Sequence, residues 1–290
     1  MKTIVLANQK GGVGKSATAC LFAHYLAQRG QRVLVIDLDH QGNLSRALRS
    51  SGRVDLAGIS ASQVLVDAQA HVVPGAFVLA EADGTQLLGL ERQPEQHNRF
   101  AGNLRGFLRR MEGRFDVCVI DTNPNPDIRV VSALVSADFV LSPVQLNQEA
   151  IDGIAALLGH ERVGIRRIQA RLNPGIKLIG ILPTLVEPTP FQKRNFAKLI
   201  QHYASLLIKL QGSSGFALIP KRSAIAEAQA AGEVLWEMKK TAAREAWKEI
   251  EPSMAQIARA MQLDIGGDVG VGVGMGVEAD AGLVDAMQGA

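Results

Sequence analysis

Seven residues near the start of the chain have the types and spacing of a phosphate-binding loop. They read KGGVGKS and stand between an apolar run, 3–7, and a helix-forming stretch. Glycines let such a loop curl until its backbone N–H groups face phosphate oxygens, and the following helix adds its positive N-terminus. In this pattern Lys15 contacts the β- and γ-phosphates, and the Ser16 hydroxyl binds Mg²⁺. The predicted nucleoside triphosphate site comprises Lys10, Gly11, Gly12, Val13, Gly14, Lys15, Ser16 and Ala17.

The loop departs from the strict phosphate-loop pattern at one position. Gln9 stands where that pattern has glycine, and Lys10 adds a second lysine. The alternative is a glycine-rich turn between a strand and a helix, with two solvated lysines. Such a turn has no need of a lysine followed by a hydroxyl, so the phosphate-binding interpretation is favoured.

Three carboxylates are expected to lie beside this loop. Asp37 and Asp39 follow the apolar run 33–36, and Asp121 ends the run 117–120. Ligands bind at the carboxyl edge of a parallel sheet, where such residues can coordinate magnesium or hold the attacking water. Taken singly, each could instead belong to an acidic turn or cap a helix.

Short apolar runs alternate with helical stretches along the chain. This order predicts an α/β fold, a mostly parallel twisted sheet with helices on both faces and P-loop NTPase architecture. Helices are predicted over 17–29 and 243–261, the second kinked or restarted at Pro252. We expect one domain over 1–263 and an acidic Gly/Val-rich tail without fixed structure over 264–290. The predicted strands cover 3–7, 33–36, 87–90, 117–120, 139–141, 178–182 and 216–219.

The composition argues against some classes of protein, and the charged residues are distributed unevenly along the chain. Two cysteines without a close Cys/His cluster argue against a disulfide framework or a zinc site, and favour a reducing cytoplasm. No apolar stretch has the length of a membrane span. Residues 161–250 hold 15 Lys/Arg against 7 Asp/Glu, a net +8, whereas 251–290 hold 1 against 6, a net −5. A basic block therefore precedes an acidic tail.

Four segments together resemble the ParA family of plasmid and chromosome partition ATPases. They are ANQKGGVGKS, VIDLDHQGN, FDVCVIDTNP and VLSPVQ, and the resemblance covers roughly 1–260. The stretch 219–244 is most similar to short plasmid members of the IncC type. The chain opens directly into its first strand, so we do not expect an N-terminal helix-turn-helix extension, or operator-specific autorepression by this chain alone.

The resemblance implies ATP and Mg²⁺ as cofactors, ATP hydrolysis, and an ATP-dependent homodimer. In the family the lysine at the position of Lys10 crosses to the partner's phosphates, whereas Lys15 acts within its own subunit. Asp39 matches the residue that positions the attacking water, so Lys10, Lys15 and Asp39 are the implied catalytic residues. Pro220 lies in the loop expected near adenine. The implied metal-site residues are Ser16, Asp37 and Asp121.

The resemblance also implies non-specific DNA and a ParB-like centromere-binding protein as partners, and a nucleoid-associated cytoplasmic location without membrane binding. For any single basic residue, a solvated helix face is the alternative; the net charge of the block favours a collective role on DNA phosphates. The implied DNA-binding residues are Lys193, Arg194, Lys198, Lys221, Arg222, Lys239, Lys240 and Arg244.

Three residues depart from the family pattern. His40 replaces a proline, Asn123 replaces a small residue or proline, and Ser16 replaces the commoner threonine. Because His40 and Asn123 lie beside the expected attacking water, an ATP-dependent switch with little hydrolysis stays an alternative, as does a positioning protein of the MinD type. The acidic tail argues against the basic amphipathic helix of MinD-type proteins. The iron protein of nitrogenase requires cluster-ligating cysteines, and a small-molecule kinase requires an acceptor-site motif that we do not find.

Overall fold

A computed structural model describes residues 1–266, apart from the side chains of residues 150–152. Its sheet has the strand order β3-β4-β2-β5-β1-β6-β7, and every pair of neighbouring strands is parallel. The strands are β1 (Lys2–Leu6), β2 (Val33–Asp37), β3 (Asp55–Ser60), β4 (Phe77–Glu81), β5 (Val117–Asp121), β6 (Phe139–Gln145) and β7 (Lys177–Thr184).

Helices cover both faces of the sheet, as a parallel sheet requires. They are α1 (Lys15–Gln28), α2 (Asn43–Ser50), α3 (Ala61–Val66), α4 (Thr85–Gly89), α5 (His97–Arg110), α6 (Ile128–Ser136), α7 (Gln148–Gly159), α8 (Ile165–Arg171), α9 (Pro190–Tyr203), α10 (Ser223–Ala231) and α11 (Thr241–Ala260). Short 3₁₀ turns cover Leu90–Arg92, Pro94–Gln96 and Ala204–Leu206.

The hydrophobic core has two layers because strand residues alternate between the faces of the sheet. Leu34 and Ile36 of β2 pack with α3, α5, α6, α8 and α9 on one face. Val33 and Val35 pack with α1, α2, α10 and α11 on the other. Fully buried parallel strands accordingly read as continuous apolar runs, which made β1, β2 and β5 recognisable from the sequence.

The strand order sets the position of the site. β5 lies between β2 and β1, with Asp121 opposite both Asp37 and Leu6. The loops that leave the carboxyl ends of β1, β2 and β5 are therefore neighbours. The lysines and carboxylates singled out above lie within these loops or at their ends.

The predicted fold class is confirmed, and so are five of the predicted strands. The prediction for 87–90 is wrong: it forms the end of α4 and a 3₁₀ turn, and buries Leu87 and Leu90 at helical spacing. Residues 216–219 form one isolated bridge, at Phe216, instead of a strand of the sheet. Strands β3 and β4 were not predicted. Residues 267–290, most of the predicted tail, lie outside the described residues.

The helix α11 runs through Pro252 without a break, so of the predicted kink or restart at this residue the restart does not occur. Its buried face, which includes Ile250, Met254 and Ile257, packs onto the sheet and holds the helix in place across the proline. No helix within residues 1–266 combines the length and apolarity needed to cross a membrane.

Gly232 ends α10 with a φ of 68°, and a Cβ at this position would overlap the carbonyl oxygen of Ser50 in α2. Gly30 also has a positive φ, 77°, but a Cβ there meets no atom within 4 Å. We expect Gly30→Ala to cost about 1 kcal/mol, the strain of a left-handed backbone, and Gly232→Ala about 1–3 kcal/mol more. Urea unfolding of both variants checks this. Equal losses would show that α10 does not pack closely on α2.

Candidate functional site

A cavity of about 730 Å³ opens beside the predicted phosphate loop, at the carboxyl edge of the sheet. Residues 11–17 form one wall of it, and Asp39 and Gln41 form part of another. The remaining wall includes Pro124, which follows β5, and residues of α2 and α10. The volume lies within the range of pockets that bind cofactor-sized ligands.

The conformation of the loop requires glycine. Gly12 and Gly14 have φ values of 72° and 78°, which L side chains rarely adopt. Side chains from neighbouring strands hold the loop from behind. Gln145 Nε2 donates to the Gly12 carbonyl at 2.9 Å, and Thr184 Oγ1 donates to that of Val13 at 2.7 Å. The loop is therefore shaped before any ligand binds.

Lys15 lies within the cavity wall and is 6% exposed. Its Nζ donates to the carbonyl oxygens of Asn8 and Lys10, at 3.2 and 3.1 Å. Burial lowers the pKa of Lys15, and the nearby Asp121 and Asp39 act in the opposite direction. A triphosphate would give this buried ammonium the strong anionic partner that carbonyl oxygens do not provide.

Lys10 points elsewhere. Its Nζ lies 2.5 Å from Glu149 Oε2 and 3.4 Å from Asn147 Oδ1, and its side chain lines a separate cavity of about 160 Å³. The ion pair with Lys10 lowers the pKa of Glu149. The two lysines of the loop are thus directed into different spaces.

Asp37 and Asp121 lie directly opposite each other on neighbouring strands, and both are fully buried. Asp37 accepts three hydrogen bonds: from the Asp39 N–H at 3.1 Å, and from the Ser45 N–H and hydroxyl at 2.8 and 2.7 Å. Burial nevertheless raises its pKa to about 6. Both oxygens of Asp37 are thus engaged in shaping the loop that leads into α2.

Asp121 has more capacity to bind a ligand. Its Oδ1 accepts the Thr122 N–H at 3.0 Å, whereas Oδ2 makes no hydrogen bond of normal geometry to residues 1–266. Burial raises the pKa of Asp121 well above its usual range; repulsion by Asp37 adds to this, and the adjacent Ser16 hydroxyl and Lys15 oppose it. A cation near this carboxylate would relieve the cost of its burial.

Asp39 is the member of the three that lines the cavity. It is 6% exposed, and its Oδ1 accepts the Gln41 N–H at 3.0 Å. Its place beside the phosphate loop suits a group that orients a water molecule.

The residues present fit magnesium bound mainly through a ligand's phosphates. Within residues 1–266, no group of three or more His, Cys, Asp or Glu side chains has the arrangement of a self-contained metal site. Mg²⁺ commonly uses one or two carboxylates together with phosphate oxygens and waters. Ser16 and Asp121 offer such oxygen donors, and the buried Oδ2 of Asp121, which has no hydrogen-bond partner within residues 1–266, is the atom that fits a bound cation most directly.

Two residues near the site were not found from the sequence. Arg129 and Asp127 form an ion pair in the first turn of α6, where they are 1% and 7% exposed. The pair contacts both His40 and Asn123, two of the three departures from the family pattern. A single arginine in the apolar stretch IRVVSALVS was the one signal available.

Comparison with known proteins identifies the family. The family model described as "AAA domain" matches residues 1–178. Protein IncC of Escherichia coli is 33% identical over 279 residues, which cover 91% of this chain and 71% of IncC. The chain belongs to the ParA family of partition ATPases.

Two further proteins extend the likeness of this ParA-family chain. The chromosome partitioning protein ParA of Caulobacter vibrioides is 31% identical over 250 residues, covering 82% of this chain and 88% of that protein. Cobyrinic acid a,c-diamide synthase from Mycobacterium smegmatis, solved with a bound ATP analog and magnesium, is 28% identical with a TM-score of 0.63. The match covers 80% of this chain and 91% of that one.

Pro220, predicted to lie near adenine, and the eight predicted DNA-binding residues do not line the cavity beside the phosphate loop. Pro220 is buried and pairs with Val186. Among the basic residues, Lys221, Arg222 and Lys240 form salt bridges with Glu187, Glu249 and Glu227 at 3.1, 2.5 and 2.8 Å. Lys198 donates to Gln148. Of the eight predicted DNA-binding residues, those that make no salt bridge within the described part of the chain are Lys193, Arg194, Lys198, Lys239 and Arg244.

The opposed carboxylates of this ParA-family chain lead to opposite expectations for two similar substitutions. Asp121→Asn should stabilise the nucleotide-free protein by about 1 kcal/mol, because it removes a buried charge whose raised pKa costs stability as pH rises above about 4. Asp37→Asn should destabilise it by about 1–3 kcal/mol. Both carboxylate oxygens of Asp37 accept hydrogen bonds, whereas the amide of Asn has only one oxygen, so at least one of these donors would lose its acceptor.

Urea unfolding at pH 7.5 in EDTA measures both changes. A loss of stability in Asp121→Asn as large as that in Asp37→Asn would show that repulsion at this strand end is not a cost to the folded state.

Proposed function

We propose that this chain is an ATP-driven partition switch. With ATP and Mg²⁺ bound, two copies form a sandwich dimer that binds DNA without sequence preference, and hydrolysis stimulated by a ParB-like partner releases it. The observation that carries the proposal is the separation of the two lysines, since Lys15 lies in its own cavity wall whereas Lys10 is directed away from that cavity.

Each subunit binds its own triphosphate through residues 10–17, with Lys15 on the phosphates. Ser16 and Asp121 hold Mg²⁺ directly or through its waters, and Asp37 keeps the neighbouring loop in place. The bound cation supplies charge neutralisation and orients the phosphates. The likeness to a synthase solved with an ATP analog and magnesium supports this assignment.

Dimer formation depends on Lys10. In the single chain its ammonium is paired with Glu149, an exposed carboxylate, so the pair contributes little to stability. A triphosphate on the partner subunit is a stronger anionic partner than one carboxylate. Lys10 therefore exchanges Glu149 for the partner's phosphates when the dimer closes, as an arginine finger does.

Hydrolysis reverses the association. Asp39 orients the attacking water, and Lys10 and Lys15 neutralise the charge that develops on the transferred phosphoryl group. When the γ-phosphate leaves, Lys10 loses the contact that held the partner. The dimer then opens and its DNA-binding surface is divided.

The DNA surface is formed by cations that the chain has not already neutralised. Lys193, Arg194, Lys239 and Arg244 make no salt bridge within the described residues, so we give them the larger part. Two such surfaces in a dimer span more phosphates than one, which couples DNA affinity to ATP. We therefore propose a nucleoid-associated location in the cytoplasm.

The experiment that tests the function is retention on non-specific DNA. We expect retention with ATP, none with ADP, and none for Lys15→Ala, which removes the cation that the chain itself provides to the phosphates. Retention should weaken steeply with salt and should be reversed by a ParB-like protein. Retention that requires no nucleotide would contradict the proposal. If the protein stays bound to DNA and hydrolyses no ATP, the result would favour the alternative of an ATP-dependent switch with little hydrolysis.

The salt bridges predict which of the basic residues contribute most to DNA binding. Replacing Lys193 and Arg194 together by Ala should reduce the slope of log affinity against log salt by about 1–2 per subunit, since each phosphate contact contributes about 0.9. Replacing Lys221 and Arg222 should change it less, because Glu187 and Glu249 already pair with them. A larger effect at the second pair would contradict this prediction.

A further inference from the structure

Arg129 connects the two loops that follow β2 and β5. It stands in the first turn of α6 and is 1% exposed, so its guanidinium has been taken out of water almost completely. Such burial is costly unless every charge is paired and hydrogen-bonded. The partners of Arg129 therefore show what the residue holds together.

One end of the connection is Asp127, which belongs to the loop after β5. Its Oδ1 accepts the Arg129 N–H at 3.0 Å and so caps α6, and its Oδ2 accepts Arg129 Nε at 3.0 Å and also Nη2. The same Oδ2 accepts Asn123 Nδ2 at 2.9 Å. Asp127 thus fixes the guanidinium to the loop that begins at Asp121.

The other end is the loop after β2. Arg129 Nη1 donates to His40 Nδ1 at 3.2 Å and to the Leu38 carbonyl oxygen at 3.4 Å. Leu38 and His40 are the chain neighbours of Asp39. A single guanidinium therefore holds the residues on both sides of the carboxylate that lines the cavity.

This contact also assigns the state of the His40 ring. A guanidinium can only donate, so Nδ1 must accept and the ring proton lies on Nε2. The side-chain amide of Gln41, which lies 2.8 Å from His40 Nε2, must then present its oxygen to this proton. His40 Nδ1 then has no proton to give to Asp39 Oδ1, 3.5 Å away. Asp39 consequently keeps its accepting capacity for the Gln41 N–H and for a water molecule.

We infer that Arg129, acting through His40 and Leu38, is a positioning residue that fixes Asp39 relative to Asp121 and the phosphate loop. The inference rests on the proposed role of Asp39 in hydrolysis. A buried ion pair often stabilises a fold no more than apolar residues of equal size, so stability alone does not account for this one. His40, which departs from the family pattern, would then serve as the acceptor through which Arg129 holds the loop after β2.

Three variants isolate the connection. His40→Leu removes the acceptor for Arg129, whereas His40→Asn retains one, because the amide oxygen of Asn lies near the position of Nδ1. The double variant Asp127→Asn/Arg129→Met removes the guanidinium without leaving a buried charge, and Asn still caps α6. The matched control, Arg29→Met/Glu251→Gln, removes a partly buried ion pair between α1 and α11.

We expect His40→Leu and the Asp127/Arg129 double variant to lower kcat for ATP by about 10- to 100-fold, with the affinity for a fluorescent ATP analogue within about twofold of the parent. His40→Asn should restore most of the rate, and the control pair should match the parent. Parental rates in the first two variants would overturn the inference. So would a rate in His40→Asn as low as that in His40→Leu, or a loss of ATP binding that equals the loss of rate.

A second measurement does not require hydrolysis and therefore separates this inference from the proposed function. The amides of Asp39, Gln41 and Gly42 donate hydrogen bonds within the loop after β2. Their hydrogen exchange in the nucleotide-free protein should be faster in His40→Leu and in the Asp127/Arg129 double variant, and unchanged in the control. Unchanged exchange in all variants would overturn the inference even if the parent proved to hydrolyse no ATP. If the parent hydrolyses no ATP but exchange is still faster in the two variants, the proposed function is refuted and the inference about Arg129 stands.

Discussion

The structure depends on a concentration of buried charge at the carboxyl edge of its sheet. Asp37 and Asp121 face each other on neighbouring strands, and the hydrogen bonds that Lys15 makes within residues 1–266 go to carbonyl oxygens and not to a carboxylate. Neither the carboxylates nor the lysine reach their lowest free energy in the protein alone. In the proposed function a magnesium ion and a triphosphate become the partners of these groups, which would couple ligand binding to the stability of this edge.

The same constraint explains how the chain can act as a switch. Lys15 is committed to its own cavity, whereas Lys10 is held by an exposed ion pair that can be exchanged at little cost. The loop after β2 carries Asp39 and is fixed to the loop after β5 through Arg129. In the proposed function, binding, closure and hydrolysis therefore use different residues of one edge, which allows each step to be altered separately.

Local patterns predicted the chemistry of the site better than its geometry. The phosphate loop and the carboxylates after β2 and β5 follow apolar runs, so the sequence indicates both their identity and their place at the sheet edge. The pairing of Asp37 with Asp121 depends on strand order, which no local pattern encodes. Arg129 could not be placed, since one of its partners lies in a distant loop. The segment 87–90 was misread because a run of four residues does not distinguish strand from helix.

Mixing two inactive variants tests the central claim, that each triphosphate site is completed by the partner subunit. Lys10→Ala retains Asp39 but offers its partner no lysine, and Asp39→Ala offers Lys10 but cannot orient water. Each variant alone should hydrolyse almost no ATP. With Asp39→Ala in excess, the mixture should regain activity, because every mixed dimer contains one complete site. A mixture no more active than its two components would show that Lys10 acts within its own subunit, and would contradict the account.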